Sequence, residues 1–163
     1  MTALDELARA AGLDPAYRSW RGDAVRSSDE SLIAALRTLA PDLGVTFESA
    51  DDAPAATRAL ERQRWLEVVP PVVVAWNGEL IVPFTVPAAI DEVWELEVVT
   101  EAGRTIAGRG TLFTLPAEHH TDVDGVVHCV RSVRVVLGGE LGYHTLRWQA
   151  GRQRGEALIL AAP

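Results

Sequence analysis

Two adjacent histidines, one cysteine and five tryptophans are the residues of this 163-residue chain that have chemistry to offer. The densest set of metal-ligand types is Glu118-His119-His120-Thr121-Asp122-Val123-Asp124. Zinc needs three or four converging ligands, and neighbours along a strand point to opposite faces. The segment therefore reads as a polar loop between two strands, and no metal is expected. His128 beside Cys129 has the composition of a nucleophile and its base, but the same alternation separates the pair. Cys129 shares its parity with Val127, Val133 and Val135, so it is expected as a small buried apolar residue. His144 stands alone. The chain carries neither a GxxxxGK nor a GxGxxG phosphate loop, nor a GxSxG elbow. No spacing singles out an acid–base pair among the 23 acidic residues. No catalytic residue and no cofactor are expected.

The aromatic residues divide by phase. Trp94 and Trp148 fall in the apolar register of alternating segments and are expected inside, while Trp65 closes a helix. Trp20 and Trp76 each border a turn. Tyr143 stands beside a glycine turn in Gly139–Trp148 (GELGYHTLRW) and is out of step with the apolar pair Leu146 and Trp148. It shares parity with Thr145 and Arg147, which predicts the outer face of its strand and cover from outside the sandwich. Trp20, Trp76 and Tyr143 are thus the candidate contact residues, for a sugar ring or for a neighbouring domain.

The elements that position these residues come in two blocks. The spacing of Leu4, Leu7, Ala8 and Ala11 predicts a helix ended by Gly12. A small hairpin turning at Arg21-Gly22 follows. Ser27 with Glu30 reads as a capping box opening a helix that carries Leu32, Ile33, Leu36 and Leu39 and stops at Pro41. A third helix is expected from about Ala55 to Trp65. After Pro70-Pro71 the pattern turns to strands. Val72–Trp76 and Leu80–Phe84 flank Asn77-Gly78, a type I′ hairpin signal. Val93–Val99 alternates cleanly, Thr105–Leu115 returns with Gly108 and Gly110 marking a bulge or a close approach, and Asp124-Gly125 is a second turn. Val126–Leu137, Tyr143–Gln149 and Glu156–Ala161 complete about seven strands. The predicted fold class is α+β: a helical subdomain over residues 1–66, then an antiparallel, immunoglobulin-like β-sandwich over residues 67–163.

Composition narrows the classes of function. Apolar residues make up 48% and the net charge is −8. That argues for a globular protein and against affinity for nucleic acid or an anionic membrane. All 15 basic residues are arginine and they are scattered, which reads as codon bias. A single cysteine suits a reducing compartment. Asp5 and Glu6 stand where a signal peptide carries positive charge, and no apolar run approaches the ~20 residues of a membrane helix. A soluble cytoplasmic protein is expected.

The order of several segments resembles the N-terminal region of bacterial 4-α-glucanotransferases (amylomaltases, glycoside hydrolase family 77). They are LDELARAAGLDPAYRSWRGDAVRSSDESLIAALRTLAPDLG, ALERQRWLEVVPPVVVAWNG, LGYHTLRW and ALILAAP. The resemblance implies a parent enzyme that moves α-1,4-glucan segments by a retaining, two-carboxylate mechanism. It places the catalytic carboxylates on a (β/α)₈ barrel of ~250 residues that this chain lacks, so none is carried over. The final Leu158–Pro163 reads as a seam to that barrel, as in an excised or truncated domain. Three roles follow as expectations: a scaffold or interface for the barrel of the same polypeptide, an α-glucan-binding module, or a free-standing interaction domain.

Overall fold

The computed structural model describes residues 2–163. The chain divides into two compact units, one ending at Arg64 and the other running Trp65–Pro163.

In the first unit, α1 (Ala3–Ala10) begins with a reciprocal cap. The Thr2 hydroxyl accepts the Asp5 N–H at 3.2 Å, and the Asp5 carboxylate accepts the Thr2 N–H at 3.0 Å. A short hairpin of β1 (Ala16–Arg18) and β2 (Ala24–Arg26) follows. Next is α2 (Asp29–Leu39), capped by Ser28, whose hydroxyl accepts the Ser31 N–H at 3.2 Å. The cap thus falls one residue later than the expected Ser27, and no Glu30 box forms. A 3₁₀ turn at Ala50–Asp52 leads into α3 (Ala53–Leu66). Leu4, Leu7, Leu32, Leu36, Phe47 and Leu60 fill the core of this unit.

Asp5 also accepts from Arg26, at 3.1 Å from Nε and 2.8 Å from Nη2. The Thr2 N–H first, then the Arg26 guanidinium, lower the Asp5 carboxyl from its ordinary 3.8 to about 2. The folded value lies below the unfolded one, so the stabilisation is complete above about pH 4 and is lost as pH falls through 2. The melting temperature of the helical unit should therefore drop between those values. Asp5→Asn should flatten that drop in a series of far-ultraviolet melts, whereas an equally steep fall in Asp5→Asn would contradict the assignment.

The second unit is built on one eight-stranded sheet. Its strands are β3 (Val72–Trp76), β4 (Glu79–Pro87), β5 (Val93–Val99), β6 (Thr105–Thr111), β7 (Glu118–Val123), β8 (Val126–Val136), β9 (Gly142–Ala150) and β10 (Gln153–Ala162). The spatial order is β6-β5-β9-β10-β3-β4-β8-β7. Its inner face closes over a core that includes Val82, Phe84, Val98, Leu112, Leu146 and Ile159. Asn77 and Gly78, at φ 51° and 77°, make the β3–β4 turn, and Asp124 and Gly125, at 54° and 82°, make the β7–β8 turn. These are the positive dihedrals that the sequence signals demand.

Two details depart from the expected sandwich. The sheet is mixed rather than antiparallel, because β10 runs parallel to β3 while pairing antiparallel with β9. Parallel neighbours need a long crossover, and here every other strand of the sheet lies between them in sequence. The segment expected as a polar loop at Glu118–Asp124 forms β7, an edge strand paired only with β8. It is interrupted between Glu118 and His120, where His119 takes a φ of 44°.

Glycines make room for the inner aromatics. A Cβ on Gly110 would lie 2.9 Å from the Trp94 indole, and one on Gly155 would lie 2.7 Å from Trp148. Gly108 and Gly110 thus mark a close approach, the second of the two expected options. Both indoles flank Phe84, with ring centroids at 6.5 Å for Trp94 and 6.4 Å for Trp148, the latter edge-on.

Candidate functional site

The three aromatic candidates are all exposed: Trp20 at 89%, Trp76 at 59% and Tyr143 at 66%. Trp20 sits at the turn of the β1–β2 hairpin, with the Arg21 guanidinium 4.7 Å from its ring centroid. It belongs to the helical unit. Trp76 and Tyr143 both belong to the sandwich and share its outer face. In β9, His144, Leu146 and Ala150 are buried and Trp148 is half-buried, so Tyr143 falls in the opposite, outward set with Arg147 and Gln149.

The sheet register assembles a surface around these two residues. Tyr143 lies opposite Leu160 of β10, and Leu160 lies opposite Val74 of β3. Leu158 lies opposite Val72, and Ala162 opposite Trp76. Val72, Val74, Trp76, Ile81, Tyr143 and Leu158 are all exposed. Around Leu158, Leu160 and their neighbours Val72, Val74, Ile81 and Tyr143, the outer face is therefore apolar. An antiparallel sheet with one wet face would put polar residues there, and an exposed patch of this kind marks an interaction site.

Towards β6 the outer face is charged instead. Over β6-β5-β9-β10 a broad groove carries cross-strand ion pairs: Arg109–Glu95 at 3.3 Å, Arg147–Glu97 at 3.9 Å and Arg147–Glu156 at 2.9 Å. Glu97 and Glu156 share the same guanidinium. Exposed pairs of this kind contribute ~0–1 kcal/mol each, and they read as a solvated ladder.

The other polar side chains with chemical potential are tied to the backbone. His144 is buried; its Nδ1 accepts the Glu101 N–H at 3.1 Å, and its Nε2 faces the Glu140 carbonyl at 3.4 Å. That pairing requires the neutral ring with its proton on Nε2, which fastens the β5–β6 turn to the segment before β9. His128 is buried with its Nδ1 3.0 Å from the Val126 carbonyl, and Cys129 is fully buried beside it. No group of three or more potential metal ligands converges among the described residues.

Arg131 is a residue that the sequence reading passed over. It shares the inward parity of Cys129, Val133 and Val135 in β8, and it is buried. Its guanidinium donates from Nη1 to the Leu115 carbonyl and from Nη2 to the Ala88 carbonyl at 3.3 Å, and it lies 5.5 Å from the Phe113 ring centroid. Its Nε has no hydrogen-bond partner among the described residues. The available signal was a charge set in an otherwise apolar phase.

Residues 68–163 match the family described as the MalQ N-terminal beta sandwich domain. The 4-alpha-glucanotransferases of Mycobacterium bovis and Mycobacterium tuberculosis are each 29% identical over 166 residues, covering 99% of this chain and 21% of each relative. The crystal structure of amylomaltase from Corynebacterium glutamicum matches 99% of this chain and 22% of its own, at a TM-score of 0.70 and 22% identity. That likeness is one of fold. The chain spans about a fifth of the length of the relatives it matches.

Proposed function

This chain belongs to the MalQ N-terminal beta sandwich domain family, and from that premise we propose that it is a non-catalytic part of a 4-α-glucanotransferase. In this reading it serves as scaffold and interface for the catalytic barrel of the same polypeptide, and the barrel transfers α-1,4-glucan segments between maltooligosaccharides. The observation that carries the reading is the end-to-end match of this chain to about a fifth of each glucanotransferase. The filled interior of the sandwich and the backbone-tied His128 and His144 agree with it.

The test compares the whole glucanotransferase carrying this domain with the same enzyme lacking it. Turnover of maltotriose per folded enzyme should stay within about twofold, while the thermal midpoint should fall. Loss of turnover in an enzyme that remains fully folded would overturn the non-catalytic role.

A second reading has one observation in its favour, the exposed Trp76 and Tyr143 on a common face. Aromatic faces of this kind can stack on sugar rings, which would make the domain an α-glucan-binding module. Millimolar maltooligosaccharide should then quench tryptophan fluorescence in this chain but not in Trp76→Ala. No quenching would remove that reading.

A further inference from the structure

We infer that His144 is the acid-sensitive pin of a clasp between the β5–β6 turn and the β8–β9 connection. Protonating its ring unfastens the turn and loosens the start of β9, where Tyr143 stands.

The clasp takes over where the strand ladder stops. β5 and β9 pair as far as Val99 and Thr145. Beyond that point side chains join the two segments. His144 Nδ1 accepts the Glu101 N–H at 3.1 Å, and the Glu101 carboxylate accepts the Tyr143 N–H at 3.3 Å. Gly142, at φ 119°, makes room for this approach, since a Cβ there would collide with the Glu101 carboxylate. At the other end of the turn Arg104 donates from Nε to Glu140 at 2.6 Å and from Nη2 to the Leu137 carbonyl.

His144 is the member of this set that cannot keep its bond in both of its charge states. A backbone N–H only donates, so Nδ1 must offer its lone pair, and the one ring proton sits on Nε2, 3.4 Å from the Glu140 carbonyl. A second proton goes to Nδ1 and sets two N–H groups against each other. The residue is only 2% exposed, so water does not replace the lost bond. The charged groups around the ring are Glu101 and Arg104 on the turn and Glu140 on the connection, while β10 sets the apolar Ile159 opposite it. Carboxylates and guanidinium groups hold their charge between pH 5 and 8, where imidazole changes its own. The Glu140 carboxyl is held below its ordinary range by Thr100 and Arg104 first, and a charge on His144 adds to that. A protonated ring is thus attracted to the connection while its bond to the turn is lost. Tyr143 loses a fixed anchor with the turn, so acid alters the exposed outer face as well.

The test follows the Glu101 amide of this chain by hydrogen exchange in ¹H–¹⁵N spectra at about pH 7.5 and 5.5, on either side of the imidazole range. Each rate is divided by that of an unstructured peptide at the same pH. Protection of Glu101 should fall at least ~10-fold at the lower pH, while the slowest amides of β5 and β9 keep theirs, as local opening requires. Long-range ¹H–¹⁵N spectra should show the His144 ring passing from the neutral Nε2–H tautomer to the doubly protonated form over the same range. His144→Asn retains an acceptor on its γ carbon and does not titrate, so its Glu101 protection should be equal at the two pH values. Unchanged protection in the wild type, or a ring still neutral at the lower pH, would overturn the inference. So would an equal loss across all of β5 and β9, or a fall in His144→Asn as large as that of the wild type. If His144→Asn does not fold, joint titration of the ring and the Glu101 amide in the wild type decides the matter.

Discussion

Phe84→Ala should cost the sandwich about 3–5 kcal/mol, the range for deleting a buried aromatic ring. Phe84 is fully buried in β4, and it is the residue that both inner indoles contact. Trp94 and Trp148 cannot collapse freely into the space it would leave, because each is already fitted closely over glycines of a neighbouring strand. The void would therefore persist. Domains of this size are stable by roughly 5–15 kcal/mol, so the variant should lie near the limit of folding. Urea unfolding followed by tryptophan emission reads both consequences: an earlier midpoint and a red-shifted native spectrum. A loss below about 1 kcal/mol would show that the three rings are not the centre of the core.

Arg131→Ala is expected to be the second largest effect, about 2–4 kcal/mol. The guanidinium satisfies the carbonyls of Leu115 and Ala88, one in the connection before β7 and the other in the connection after β4. A fully buried carbonyl left without a donor costs ~1–3 kcal/mol, and these two are half-buried, so each contributes towards the low end. Removing a buried charge that has carbonyl partners rather than a carboxylate returns part of that cost. Arg131→Met keeps most of the volume and sheds the charge, so its loss should be smaller than that of Arg131→Ala. Chemical denaturation of the two variants side by side checks the order. If Met is as damaging as Ala, the carbonyl bonds and not the packing dominate. If neither variant loses more than about 0.5 kcal/mol, the clamp is not structural.

The residues that could be read from sequence are those whose signal is local. Asn77-Gly78 and Asp124-Gly125 specify their turns through dihedrals that few other pairs adopt. Leu96 and Val98 show their inward face by alternation alone, and parity placed Tyr143 outside. β7 was not legible, because Glu-His-His-Thr-Asp-Val has no apolar alternation and owes its strand form to pairing with β8. The parallel pairing of β3 with β10 was equally hidden, since nothing in either strand names a partner so distant in sequence. The apolar face is an intermediate case. Val72, Val74 and Leu158 were visible as apolar residues, but only the register shows that they stand side by side with Tyr143 and Trp76.

Under the proposed function this domain carries no chemistry of its own, and glucan transfer belongs to the remainder of a glucanotransferase. The direct measurement is incubation of the isolated 163-residue chain with maltotriose, followed by chromatography of the oligosaccharides. Maltotriose should remain unchanged against the buffer blank. Redistribution into longer and shorter maltooligosaccharides, saturable in substrate and abolished by replacing Glu97 or Glu156 with glutamine, would contradict it.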